Sequence, residues 1–275
     1  MIIGMINAKG GVGKTTCTCN IAAGLASRNK RVLVIDNDPQ ANATSLLLGD
    51  QVPGKTLYDL LLGSMEEDPS LFSAEPTALP SAAQRISIES CIYPTIHGVD
   101  ILPNSTDTAT LEFDLYQNAA NYGLLRRLIR SYAQENYDYT IIDCPPTLGA
   151  VWVIMAMVAA DAIIIPVSAG SRMSLDGLSS VYAAVEKISQ KANTELKFLR
   201  ALINKVDLRT SASKLIVETM RKRFPDRCFD TTIPACTAVE QAEIFRTTVL
   251  KHDGASNAAK RFRLLADELI GLTHG

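Results

Sequence analysis

Short apolar runs alternate with amphipathic segments along nearly the whole chain. Runs rich in Ile, Val and Leu are typical of buried strands, whereas apolar positions three or four residues apart are typical of helices. The predicted strands cover residues 2–6, 31–36, 99–102, 139–143, 162–167 and 196–204, with a short one ending at Ile233-Pro234. The predicted helices cover residues 15–29, 43–48, 57–62, 109–117, 123–135, 150–159, 174–191, 210–223, a short stretch from about 238, and 256–271. This alternation predicts an α/β fold with a mostly parallel central sheet and helices on both faces.

Residues 63–98 break the alternation. They are rich in Pro, Ser, Glu and Ala, and a short apolar stretch at 86–88 predicts a small strand within them. Such a composition is typical of a long surface excursion. A length of 275 residues suits one large α/β domain or two small ones. We predict a single domain over residues 1–275, with 63–98 as a surface insertion.

Charge is unevenly distributed although the net charge is only −2. Residues 205–227 contain seven Lys or Arg against three acids, and residues 244–264 contain five against one. The C-terminal third therefore carries positive charge, while the rest of the chain is acidic. Such a region could contact phosphates, or it could simply form a solvated helix face, as charge runs often do. Few aromatic residues interrupt these stretches, so base stacking is not favoured.

The cysteines favour reduced thiols in a cytosolic protein. None of the six forms a C-x-x-C pair, which argues against a structural zinc or a disulfide framework. The chain begins on a strand without a basic leader, so we expect no signal peptide. Asp161 and Pro166 interrupt the most apolar stretch, Leu148 to Val167, which is predicted as a buried helix followed by a buried strand.

A glycine-rich segment follows the first strand and precedes an Ala-rich helix. It reads Lys9-Gly10-Gly11-Val12-Gly13-Lys14-Thr15-Thr16. Strand, glycine loop and helix form a phosphate-binding loop, in which backbone N–H groups and the helix N-terminus surround the phosphates. Lys14 is predicted to bind the β- and γ-phosphates and Thr15 to ligate Mg²⁺. The usual first glycine is replaced by Ala8, and a second lysine, Lys9, stands beside the loop.

Polar residues also end the other predicted strands, and in a parallel sheet these ends converge on one crevice. Asp143 is predicted to support Mg²⁺ and Asp36 to support Mg²⁺ or the loop. If the strand continues past Asp36, Asp38 lies on the same face and can orient an attacking water; an Asp-x-Asp-Pro turn is the alternative. Asn204 either pairs with the edge of adenine or caps its own strand.

Three segments in order resemble the deviant Walker ATPases, and within them the ParA partition ATPases. They are the glycine loop, the stretch from Asp36 through Asp38-Pro39-Gln40 to Thr44, and Ile142-Asp143-Cys144-Pro145-Pro146. Further similarity at 101–104, 107–112 and 248–266 extends the match to nearly full length. One departure is Ala235 to Ala238, where many members have Arg-Asn-Val-Arg after Ile-Pro.

The resemblance implies a slow ATPase that uses ATP and Mg²⁺ and works as a homodimer with ATP between the subunits. Lys9 would contact the partner subunit's phosphates, Lys14 and Asp38 would act with it in hydrolysis, and Pro234 would lie at the nucleotide. The ATP-bound dimer would bind DNA without sequence preference, and a ParB-like activator would release it, giving a cytoplasmic, nucleoid-associated protein. Arg209 is retained from a family DNA-contacting stretch, and the basic C-terminal region adds three further candidates for DNA contact: Lys214, Lys251 and Lys260.

Two other functions compete with this one. A MinD-like ATPase on a membrane would need an amphipathic C-terminal helix, and residues 259–272 are amphipathic, although we expect a docked helix and no membrane contact. A redox iron protein of the nitrogenase-reductase type shares the loop but needs cluster cysteines, for which Cys91 and Cys144 are poorly placed.

Overall fold

A seven-stranded sheet forms the centre of the protein in a computed structural model that describes residues 1–67, 86–170 and 174–274. Its strand order is β3-β4-β2-β5-β1-β6-β7, and all neighbours are parallel except β3, which is antiparallel to β4. The strands are β1 Ile2–Met5, β2 Val32–Asp36, β3 Tyr93–Pro94, β4 Asp100–Leu102, β5 Tyr139–Asp143, β6 Ala162–Ser168 and β7 Lys197–Asn204. The predicted fold class is confirmed.

Helices cover both faces of this sheet. They are α1 Lys14–Ala26, α2 Asn42–Leu48, α3 Leu57–Glu67, α4 Glu112–Gln117, α5 Leu124–Asn136, α6 Val151–Ala159, α7 Ser174–Lys191, α8 Ser211–Arg223, α9 Thr237–Ile244, α10 Val249–His252 and α11 Asn257–His274. One apolar cluster includes Trp152 of α6, and a second, on the opposite face, includes Ile21 of α1 and Phe262 of α11. Because both faces are covered, the inner strands are apolar without alternation.

The apolar stretch from Leu148 to Val167 folds as predicted, into buried helix α6 and buried strand β6. All of α6 except Ile154 is buried, which explains why this helix lacks a polar stripe. Among the described residues, no helix has both the length and the apolar character needed to cross a bilayer.

Two predicted strands are wrong. Residues 86–88 do not form a strand; a 3₁₀ turn covers Ile88–Cys91 instead, with both end residues buried, and β3 follows it. The segment ending at Pro234 forms no regular strand: it lies beside β7 through isolated bridges, Cys228 with Ala201 and Pro234 with Val206, and through the N–H groups of Phe229 and Ile233, which donate to carbonyl oxygens of β7. Proline has no backbone N–H to donate, so a regular ladder cannot continue there.

The predicted insertion is only partly at the surface. Residues 63–67 continue α3, and residues 86–98 pack on the core and add β3 to the sheet edge. Residues 68–85 lie outside the described part of the chain, so the extent of an insertion there remains a prediction.

Candidate functional site

The carboxyl ends of β1, β2 and β5 meet at a cavity of about 430 Å³. This convergence follows from the parallel pairing, which aligns Met5 and Asp36 with Asp143. The cavity is lined by Gly10, Gly11, Gly13, Lys14, Thr15, Thr16, Asp38, Asn42, Ser45, Leu46, Pro146, Lys205, Glu243 and Arg246. The sequence predicted the first seven of these residues as site residues.

The loop backbone requires glycine at two positions. Gly11 and Gly13 have φ values of 74° and 86°, in the left-handed region that side chains rarely adopt. A Cβ atom on Gly13 would stand 2.4 Å from the amide nitrogen of Asn204. Helix α1 begins directly afterwards, and no side chain caps its N-terminus. This cradle, with helix N–H groups at its base, fits a polyphosphate.

Lys14 places a buried ammonium group against this loop. Only 8% of the residue is exposed, and its Nζ donates to the carbonyl oxygen of Lys9 at 3.3 Å. Burial lowers the pKa of Lys14, and the neighbouring carboxylates of Asp143 and Asp38 oppose this shift. A bound phosphate would supply the negative charge that favours the ammonium form.

Thr15 and Asp143 form the predicted pair for Mg²⁺. The Thr15 hydroxyl donates to one carboxylate oxygen of Asp143 at 2.6 Å, and the Thr18 hydroxyl donates to the other at 3.0 Å. Burial, with the charge of Asp36 nearby, raises the pKa of Asp143 to about 7. A hydroxyl and a buried carboxylate are the hard oxygen donors that Mg²⁺ prefers, so these two residues fit the cation.

Asp36 and Asp38 have separate environments because β2 ends at Asp36. Asp36 is fully buried and accepts 2.7 Å hydrogen bonds from the backbone N–H and the hydroxyl of Thr44, and burial raises its pKa to about 6. Like Asp143, it does not line the cavity, and its support of Mg²⁺ or of the loop stays a prediction. Asp38 does line the cavity, in a turn where its carboxylate accepts from the N–H of Gln40 at 3.0 Å. The turn interpretation is therefore confirmed.

The amide of Asn204 holds the loop rather than facing the cavity. Its nitrogen donates to the carbonyl oxygen of Val12, and its oxygen accepts from the N–H of Lys205, both at 2.8 Å. The interpretation of Asn204 as a cap at the end of its strand thus describes its contacts in this structure. Pro234 lines a separate depression of about 660 Å³, together with Val206 and Arg209. A role for Asn204 or Pro234 at adenine stays a prediction.

Lys9 lies beside the loop, partly exposed, and does not line the cavity of its own subunit. Its backbone N–H donates to the side chain of Asn7 at 2.9 Å, and its carbonyl oxygen accepts from Lys14. The backbone of Lys9 thus helps to shape the loop.

Three charged cavity residues were missed by the sequence reasoning. Lys205, at a φ of 55°, donates from Nζ to the carbonyl oxygen of Gly11 at 2.9 Å. Arg246 forms a 3.2 Å ion pair with Asp50, and Glu243 accepts a hydrogen bond from the Thr16 hydroxyl. Lys205 directly follows the strand-end residue Asn204, and that position was the available signal. No local pattern marks the other two.

Glu243 places a negative charge where phosphate is expected, so Glu243→Gln should bind ATP about fivefold more tightly. The substitution removes a like charge worth roughly 1 kcal/mol near the surface and keeps an acceptor for Thr16. Isothermal titration with ATP would measure the change. Glu240→Gln is the matched control, because Glu240 lies exposed on the same helix and does not line the cavity. Weaker binding of ATP by Glu243→Gln would contradict this account.

The candidate DNA residues are at the surface. Lys214 on α8, Lys251 on α10 and Lys260 on α11 are all exposed. Arg209 is also exposed, but its guanidinium group makes two 2.9 Å hydrogen bonds to the carboxylate of Asp207. Its charge is therefore locally balanced, whereas the charges of the three lysines add to the basic surface.

Sequence comparison extends over the full length. A family model described as an AAA domain matches residues 1–198. The chain is 33% identical over 271 residues to the chromosome partitioning protein ParA of Caulobacter vibrioides, covering 98% of this chain and 93% of that protein. It is 32% identical over 269 residues to the sporulation initiation inhibitor protein Soj of Bacillus subtilis, covering 98% and 97%.

Solved structures show the same architecture. The cell division ATPase MinD of Pyrococcus furiosus gives a TM-score of 0.75 at 25% identity over 99% of both chains. Cobyrinic acid a,c-diamide synthase of Mycobacterium smegmatis, solved with ADP and magnesium, gives 0.77 at 25% identity over 98% of this chain and 93% of that one. With its phosphate loop, Thr15–Asp143 pair and full-length relatives, this chain belongs to the ParA family of partition ATPases, in the ParA/MinD superfamily of P-loop ATPases.

Proposed function

We propose that this positioning ATPase is an ATP-dependent dimerisation switch that binds DNA without sequence preference in its ATP state and partitions a plasmid, a chromosome or another cargo. The observation that carries the proposal is similarity to chromosome partitioning ParA over 98% of the chain. The cofactors are ATP and Mg²⁺, for which the Gly11–Gly13 cradle and the Thr15–Asp143 pair provide fitting donors. A partner protein of the ParB type would stimulate hydrolysis.

The residues divide the work of hydrolysis within a dimer. Lys14 would neutralise charge on the phosphates bound in its own subunit, and Thr15 with Asp143 would hold the magnesium ion. Asp38 lines the same cavity and is the carboxylate that orients the attacking water. Lys9, which does not line its own cavity, would serve the partner subunit's nucleotide. The ATP state is then a dimer whose lifetime is set by hydrolysis.

DNA binding is proposed for the basic C-terminal surface. Lysines on α8, α10 and α11 are exposed, and contact with duplex phosphates requires cations rather than aromatic side chains. If dimerisation brings two such surfaces together, DNA affinity rises in the ATP state because each duplex then contacts twice as many cations. The protein would consequently be found on the nucleoid.

Binding of a duplex without a specific sequence, measured with ATP, with ADP and without nucleotide, tests this function. We expect the protein to bind the duplex only when ATP is present. If roughly four phosphates are contacted, DNA affinity should decrease about 100-fold between 50 and 200 mM salt. Fluorescence anisotropy at these two salt concentrations measures both effects. The triple variant Lys214→Ala, Lys251→Ala, Lys260→Ala should lose this binding while it still hydrolyses ATP. Equal affinity in all three nucleotide conditions would refute the switch.

The packing of the C-terminal helix α11 argues against the alternative that the protein binds a membrane. The apolar side of α11 is buried against the protein: Phe262, Leu265 and Leu269 have no exposed surface. The helix is also joined to the turn that follows α1 by the ion pair of Arg28 with Asp267 at 2.6 Å. A membrane-binding function would require this packed helix to detach. Co-sedimentation with anionic liposomes in ATP, without any DNA binding, would favour the MinD-like function instead.

A further inference from the structure

A second pocket lies far from the nucleotide cavity, beside the amino-terminal part of edge strand β7. It has a volume of about 310 Å³ and is lined by Leu178, Tyr182, Phe198, Arg223, Phe224, Pro225 and Arg227. Phe198 precedes Asn204, at the nucleotide end of the same strand, by six residues, a separation on the order of 20 Å. This pocket therefore belongs to neither the nucleotide cavity nor the depression around Pro234.

The pocket walls are largely aromatic. Tyr182 of α7 and Phe198 of β7 meet edge to face, with ring centroids 5.7 Å apart and an interplanar angle of 82°. The guanidinium carbon of Arg227 lies 5.7 Å and 6.0 Å from these two ring centroids, and that of Arg223 lies 5.7 Å from the ring of Phe224. These cation–π contacts favour positions of both arginines beside the rings, with their N–H donors available at the rim of the pocket.

The rim of the pocket carries positive charge that no nearby acidic side chain neutralises among the described residues. Within the described residues, neither guanidinium group makes a hydrogen bond or an ion pair, and no acidic residue lines the pocket. The nearest acid in sequence, Asp226, adopts a φ of 57° and lines a neighbouring depression together with Arg200 instead. Arg223 and Arg227 therefore line one depression, while Asp226, the only acidic residue between them, lines a different one.

We propose that this pocket, which we call the β7 aromatic pocket, binds an acidic segment of a partner protein that inserts one large apolar side chain. A volume of 310 Å³ is at the lower end of ligand pockets and suits a single leucine or aromatic side chain rather than a cofactor. Carboxylates next to that side chain pair with Arg223 and Arg227, whose planar groups present two parallel donors to a carboxylate. The proposal is independent of the nucleotide switch, because none of these residues lines the nucleotide cavity.

Titration with short fluorescent peptides tests the proposal in the full chain without nucleotide. The probe is a six-residue peptide in which Leu-Phe is flanked by two acidic residues on each side. Its controls replace the acids by lysines or the Leu-Phe pair by Ala-Ala. We expect saturable binding of the acidic apolar peptide, with Kd below about 1 mM, and affinity at least about tenfold lower for both controls.

Substitutions in the protein locate the binding. Arg223→Ala and Arg227→Ala should each weaken the peptide about tenfold, the size expected for a lost charge-assisted pair, and Arg227→Lys should restore only part of it. Lys222→Ala is the matched control, since Lys222 is equally exposed and does not line the pocket. Absence of saturation, equal binding of the lysine peptide, or equal effects of Lys222→Ala and Arg227→Ala would overturn the proposal. So would loss of duplex DNA binding, rather than peptide binding, in the two arginine variants.

Discussion

Lys14→Ala is expected to abolish ATP binding and hydrolysis. The residue is almost fully buried at the loop, with its Nζ 3.3 Å from the Lys9 carbonyl oxygen, so its ammonium group stands next to the backbone that surrounds the phosphates. Removal of one partner from a buried, hydrogen-bonded charge pair costs about 2–5 kcal/mol, so ATP affinity should decrease by at least about 30-fold. Loss of transition-state stabilisation would further reduce phosphate release below detection.

Equilibrium binding of a fluorescent ATP analogue and a phosphate-release assay measure these two effects. Lys187→Ala is a suitable control, because Lys187 is an exposed lysine of α7 away from the cavity. Circular dichroism must show that Lys14→Ala retains the fold, since Lys14 lies among the carboxylates of Asp38 and Asp143. Unchanged turnover in a folded Lys14→Ala protein would contradict the assignment of this cavity to ATP.

The core of the site was accessible from the sequence because it depends on local order and on sheet topology. Gly13, Lys14 and Thr15 are consecutive, so their geometry follows from one loop and one helix start. Asp143 could be placed beside them because parallel strands bring their carboxyl ends together, and β1 and β5 are neighbours. A strand end is therefore a strong signal for a site residue when the sheet is parallel.

The remaining site residues depend on tertiary packing that no local pattern encodes. Glu243 reaches Thr16 because the segment after β7 folds back over α1, where the Asn20 side chain accepts from the N–H of Val249 at 2.8 Å. For Asn204 the sequence predicted the position but not the contact. Its amide could pair either with adenine or with the backbone at the end of its strand. In this structure the backbone of the loop, through Val12, is the neighbour that it contacts.

The error at 86–88 has a related cause. A short apolar stretch fits a strand and a buried turn equally well, and periodicity cannot distinguish them over three residues. The chain resolves the choice through packing, since Ile88 and Cys91 enter the core while Tyr93 and Pro94 pair with β4. Similarly, α1 ends at Ala26 rather than Asn29, which adopts a left-handed φ of 59°.

Asp38→Ala is expected to retain ATP binding, to hydrolyse ATP at least about 100-fold more slowly, and to accumulate as a dimer. Loss of a positioned proton acceptor typically costs 10²–10⁴-fold in rate, whereas nucleotide binding depends on Lys14 and the loop. The turn should survive the substitution because Ala41 and Asn104 donate to the backbone carbonyl oxygen of Asp38, at 2.8 and 3.2 Å. Loss of a carboxylate from the cavity also reduces repulsion of the phosphates.

Light scattering after size exclusion with ATP and Mg²⁺ measures the dimer, and phosphate release measures the rate. Glu186→Ala is the control, because Glu186 is an exposed acidic residue of α7 that does not line the cavity. A dimer that persists with ATP in Asp38→Ala but dissociates in the native protein as ATP is consumed would link hydrolysis to dimer lifetime. A monomeric Asp38→Ala protein that still binds ATP would separate Asp38 from the attacking water and would require dimerisation to depend on its carboxylate instead.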